Sequence, residues 1–148
     1  MSNIAVNWMT DNSRLFNSRL FACRDSIGNL VMAGSPSNGW INDQSFQATR
    51  ATDLLLMSLA TCAAHEVVDI LERQRQKLTE LRVDVDAHQQ PEPPHAFKDI
   101  HMQFHLAGEQ LDPGKVSRAL ELSVDKYCPV AATLRGVVSI TYGFEIDG

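Results

Sequence analysis

Three cysteines, Cys23, Cys62 and Cys128, are the residues of this chain best suited to chemistry. Their number is odd and no two form a C-x-x-C pair, so a structural disulfide framework is a poor explanation. In a reducing compartment, any bridge between two of them would be transient and chemical. His65 and Glu66 follow Cys62 by three and four positions, within one helical turn, where they can set the charge on a thiol. A cation or hydrogen-bond donor there lowers the thiol pKa, and a bare carboxylate raises it. Cys128 stands directly before Pro129 at the head of a short helical stretch. Unpaired backbone N–H groups at such a position favour thiolate, the nucleophilic form. On electrostatics alone Cys128 is the better nucleophile and Cys62 its partner. The plain alternatives are that Cys62 packs as a small apolar residue and that Cys128 only caps a helix. Cys23, near the end of a strand, reads as packing.

A metal site drawn from Cys62, His65, Asp69 and Cys128 has only half a motif in its Cys-x-x-His pair. His101 and His105 share one strand face but stand roughly 13 Å apart, too far to chelate one ion, and read as surface residues. No metal and no bound cofactor is expected.

The elements that hold these residues follow from their patterns. Residues 52–73 read as one long helix, uninterrupted by Gly or Pro, with Thr52 as cap and Asp53 in the first turn. Its residues Ser58, Thr61, Cys62, His65, Glu66, Asp69, Glu72 and Arg73 fall in one band about 140° wide. The rest is apolar, so the helix is expected to be buried on most of its circumference, with Cys62 near the centre of the polar strip. Before it, residues 4–9, roughly 15–23 and 29–33 read as strands, with turns at 10–13 and 25–29 and a long loop over 34–45. After it, Leu81, Val83, Val85 and Ala87 alternate with charged residues as a half-buried strand. A Pro-rich connector over 89–95 leads to a second strand with Ile100, Met102, Phe104 and Leu106 on one face. The two strands pair as a hairpin with their apolar faces on the helix. Asp112 and Pro113 begin a helix running to about Lys126, with Val116, Ala119, Leu120 and Ser123 inward. Pro129 opens a third over 130–135, and Val138, Ile140, Tyr142, Phe144 and Ile146 line a last strand. The fold class is α+β with a mostly antiparallel sheet, in a single domain over residues 1–148.

The chain has 148 residues, 44% of them hydrophobic and 21% charged, with a formal charge of −5. That length suits one domain with a sizeable core. The negative balance and the lack of a basic run argue against nucleic acid as a partner. The first residues lack the basic start and long apolar run of a signal peptide, and the longest apolar runs elsewhere are expected to be too short for a bilayer. A cytoplasmic location without a membrane partner is expected.

The stretches Thr61-Cys62-Ala63-Ala64-His65-Glu66 and Lys126-Tyr127-Cys128-Pro129-Val130, each within a longer similar segment, resemble the OsmC/Ohr family of thiol-dependent hydroperoxide reductases, in particular its YhfA-like branch. The similarity spans nearly the whole chain, including Pro94-His95-Ala96-Phe97 in the hairpin. The resemblance implies an OsmC-like fold: an intertwined homodimer whose sheets wrap long central helices, with active sites at the subunit interface. It implies that Cys62 is the peroxidatic cysteine, oxidised by an organic hydroperoxide to a sulfenic acid. Cys128 then resolves it as a disulfide, which an external dithiol reduces. This reverses the electrostatic ranking of the two thiols. Family members also use an arginine from the N-terminal strands and a glutamate before the cysteine helix. Arg24 is the nearest analogue of the arginine, with Arg19 and Arg50 competing. Asp53 stands where the YhfA-like branch carries glutamate, and Thr52 where the Ohr type carries it. Nine positions of continuous helix turn Asp53 away from Cys62 and separate them by about 13 Å, so any role for it lies across the dimer. The alternative to an enzyme is a binding or stress-response module that keeps the fold and holds an apolar ligand.

Overall fold

The computed structural model describes residues 5–8, 19–35 and 49–147. The chain divides into two compact units, Met1–Leu55 and Leu56–Gly148, with the boundary inside one helix.

The first unit contains three strands, β1 (Ala5–Trp8), β2 (Arg19–Arg24) and β3 (Leu30–Ser35), paired antiparallel in that order. Cys23 on β2 pairs with Val6 and Val31 and is half-buried, in keeping with a packing role. The β2–β3 turn falls on the expected residues because Asp25 organises it. Its carboxylate accepts the amides of Ile27 and Asn29 at 3.0 and 2.8 Å and the side-chain amide of Asn29 at 2.9 Å. The Asn29 bonds hold the Asp25 carboxyl below its ordinary value. Gly28 takes φ 95°, open to glycine at no steric cost. β3 runs on to Ser35, past the expected end and into the expected loop. Residues 36–45 of that loop, the turn at 10–13 and the expected strand ends at 4, 9 and 15–18 lie outside the described residues.

Helix α1 (Ala51–Arg73) starts one residue before the expected cap. The Arg50 carbonyl accepts the Leu54 amide at 3.0 Å, which places Thr52 inside the first turn rather than at the cap. The helix stops without a glycine. Arg75 takes φ 57°, its amide bonds to the Glu72 carbonyl, and the Gln76 amide reaches back to Leu71. These paired bonds satisfy the last-turn carbonyls as a left-handed C-terminal cap does. By length and composition α1 could cross a membrane, yet Leu59, Ala63, Val67, Ile70 and Leu71 are buried in the core of the second unit.

That core is built on a second sheet of β4 (Lys77–Gln89), β5 (Phe97–Glu109) and β6 (Ser139–Asp147). β5 is central, and its Ile100, Met102, Phe104 and Leu106 are fully buried in one cluster with the α1 stripe. Burying each of these stabilises the fold by roughly 2 kcal/mol. β4 and β5 form the expected hairpin, longer at both ends than the alternation suggested, with a bulge between Leu78 and Glu80. β6 pairs parallel to β5, because the chain between them crosses over through helices α2 (Pro113–Leu122) and α3 (Pro129–Leu134). The Asp112 carboxylate caps α2 by accepting the Gly114 amide at 2.8 Å, and Pro113 is the first helical residue, as expected.

Two further expectations need correction. α2 does not run regularly to Lys126: from Ser123–Tyr127 it widens into a π-helical turn that ends at Cys128. Burial of α1 is also narrower than its composition implied. Met57 is 54% exposed, and Leu56, Ala60, Ala64 and Val68 are only partly covered.

Candidate functional site

Cys62 and Cys128 meet in the second unit. Cys62 projects half-buried from the middle of α1, while Cys128 is 1% exposed between the π-helical turn and α3. The two thiols are neighbours, close enough for Cys62 to act on the ionisation of Cys128, and both are free.

Several local devices position Cys128. Pro129 excludes the helical conformation for the residue before it, and Cys128 accordingly takes φ −73° and ψ 111°. This makes it the N-cap of α3, where its Sγ accepts the Ala131 amide at 3.4 Å. On the other side its own amide donates to the Ser123 carbonyl at 2.8 Å, five residues back, closing the wide turn. Ser123 is fully buried and its hydroxyl donates to the Ala63 carbonyl of α1 at 2.7 Å. The Arg135 guanidinium holds the next carbonyl, that of Val124. Tyr142 on β6 donates its phenol to Asp125 at 3.1 Å, and Lys126 lies 5.3 Å from the centre of the Tyr127 ring.

The electrostatics overturn the ranking that placed Cys128 first as nucleophile. Burial pushes the Cys128 thiol above its ordinary value, the amide of Ala131 pulls the other way, and the hydrogen bond to Cys62 adds to the rise. A short helix offers too little field to compensate for removing a thiolate from water. Cys128 therefore holds its proton and Cys62 is the sulfur facing it.

The remaining residues singled out from sequence are dispersed. Arg24 ends β2 in the first unit, exposed, with its guanidinium donating to the Gly28 carbonyl of its own turn at 3.0 Å. Asp53 is exposed in the first turn of α1, and Arg50 is exposed just before it. His65 lies 3.6 Å from Asp69 on the open strip of α1. The metal set of Cys62, His65, Asp69 and Cys128 is not assembled. Among the described residues, the group close enough to share an ion is His105, Glu145 and Asp147. His105 is not the surface residue its strand position suggested: its side chain is 17% exposed, 3.2 Å from Asp84 and 3.7 Å from Glu145. These carboxylates come from neighbouring strands and account for the partial burial of a polar ring.

Ser123, Arg135 and the widened turn are the parts of the site that sequence reasoning missed. An inward Ser on an otherwise apolar helix face was the available signal, since a buried hydroxyl requires a partner.

Comparison with known proteins identifies the family and the fold. Residues 42–143 match the family model described as OsmC-like protein, across the boundary between the two units. The chain is 34% identical over 100 residues to protein YhfA of Escherichia coli strain K12, covering 68% of this chain and 75% of that protein. Its fold is similar to that of an OsmC-like protein from Mycoplasma pneumoniae, with a TM-score of 0.76 at 12% identity over 100% of this chain and 98% of that one. It is also similar to the organic hydroperoxide resistance protein OhrB of Bacillus subtilis, with a TM-score of 0.61 at 15% identity over 98% of each chain. With the family model spanning residues 42–143 and a relative 34% identical over 68% of its length, the chain belongs to the OsmC-like family.

Proposed function

We propose that this protein is a thiol-dependent reductase of organic hydroperoxides. The observation that carries this reading is the pairing of two free thiols, one half-buried on α1 and one fully buried, whose burial favours the neutral thiol. Cys62 as thiolate attacks the outer peroxide oxygen. A sulfur–oxygen bond forms, the oxygen–oxygen bond breaks, and the alcohol leaves with a proton. Cys128 then attacks the sulfenic sulfur, water departs, and a Cys62–Cys128 disulfide results. An external dithiol returns two electrons and two protons, so each cycle converts one hydroperoxide to one alcohol and one water.

Arg24 and Asp53 enter this proposal as activating groups, with Asp53 acting across a homodimer. Support for the dimer comes from the exposed Met57 and the partly covered apolar residues of α1, which a second copy would bury. The chain would work in the cytoplasm and needs no bound cofactor.

The test is to treat the reduced protein with an organic hydroperoxide and follow both peroxide loss and protein mass. Formation of a Cys62–Cys128 disulfide, renewed turnover with a dithiol, and loss of consumption in Cys62→Ser are expected. A wild-type protein that consumes no hydroperoxide with any dithiol offered ends the proposal.

A further inference from the structure

We propose that Ser123 is a positioning residue that sets the separation of the two sulfurs by tying the turn before Cys128 to the backbone beside Cys62. Its side chain and its main chain reach the two cysteines separately. The hydroxyl donates to the carbonyl of Ala63, the residue after Cys62, at 2.7 Å. The Ser123 carbonyl accepts the amide of Cys128 at 2.8 Å. The two bonds join the backbone beside Cys62 to the amide of Cys128 through one residue.

Two features make this more than routine packing. Among the described residues Ser123 is the one polar side chain in the fully buried core, where a hydroxyl without a partner is costly. A serine inside a helix commonly bonds a carbonyl of its own preceding turn. Ser123 instead crosses to another helix, while its amide is taken by Ala119 and Leu120 of α2. The widened turn supplies the second feature. A regular helix would deliver the Ser123 carbonyl to residue 127, but the extra residue delivers it to Cys128. The hydroxyl fixes where the turn starts, and the carbonyl fixes where the cysteine after it stands.

This rests on Cys62 and Cys128 acting as an exchanging pair, but its test needs no hydroperoxide. The reduced protein is equilibrated with mixtures of oxidised and reduced dithiothreitol, and the bridged fraction is read by mass after alkylation. The two thiols give two electrons and two protons to the oxidised dithiol, whose disulfide opens as theirs closes. Ser123→Ala should lower the equilibrium constant for bridging on the order of tenfold, equivalent to about 30 mV. Ser123→Thr, which restores the hydroxyl, should recover most of it. A change that merely softens the fold, such as Val116→Ala in α2, should lower the melting temperature without moving the equilibrium.

Equal bridging in wild type and Ser123→Ala overturns the proposal, as does a wild type that forms no bridge at any dithiol ratio. Should Ser123→Ala not fold, Arg135→Met releases the same turn at Val124 from an exposed position. It must shift bridging in the same direction, and no shift overturns the proposal. A wild type that bridges and depends on Ser123 but consumes no hydroperoxide ends the reductase reading alone.

Discussion

The sulfur of Cys128 accepts the amide of Ala131 at 3.4 Å, so one atom both caps α3 and faces Cys62. These duties can be separated. Serine is among the best N-cap residues, and Cys128→Ser should fold with a stability within about 1 kcal/mol of wild type. It should form no intramolecular bridge. Urea melts and mass analysis after oxidation check the two halves independently, and a collapse in stability would show that the sulfur is needed for packing.

Tyr142 should ionise at about 12, because burial first and then its hydrogen bond to Asp125 favour the neutral phenol. Ultraviolet titration should lose this step in Tyr142→Phe. In Asp125→Asn the step should fall without returning to the ordinary value of 10.0, since burial remains. The sign for stability follows from proton binding: the contribution is fully present below 10.0 and is lost as pH rises through about 12.

His88 lies 2.6 Å from Asp99 across the β4–β5 pair, and that carboxylate, with Asp86, raises its pKa above 6.5. Proton NMR should place its midpoint above the ordinary histidine range, and Asp99→Asn should bring it down. Here too the raised value means that the contribution is present below 6.5 and fades as pH climbs through the folded-state midpoint. An unchanged midpoint in Asp99→Asn would refute the assignment.

Gly108→Ala should destabilise the protein by about 1–3 kcal/mol, measured by thermal or denaturant melting. At the bulge between Leu78 and Glu80 the Lys77 carbonyl closes on Gly108, and an added Cβ would collide with that backbone oxygen. At Gly143 the obstacle is the end of the flexible Gln103 side chain, so Gly143→Ala should cost less.

What the sequence disclosed was mainly local. The Asp112-Pro113 start of α2, the cap at Cys128, the Asp25 turn and the alternation in β5 each depend on residues a few positions apart, and all stand where expected. The parallel pairing of β6 was not readable, because its inward residues alternate identically in either direction. Nor was the position of His105: its neighbours Asp84 and Glu145 arrive from flanking strands. The charge preference of Cys128 was misjudged for a related reason. Its helix terminus is visible in the sequence, whereas the burial that opposes ionisation depends on residues far along the chain.

The widened turn from Ser123–Tyr127 has a consequence for how this stretch tolerates change. Lys126 and Tyr127 are exposed, and replacing them disturbs little of the core. Removing either would turn the segment into a regular helical turn in which the cysteine amide still meets the Ser123 carbonyl, four residues back instead of five. Loss of one residue at 126 or 127 is thus as tolerable as substitution there, whereas an inserted residue would carry the cysteine past the Ser123 carbonyl.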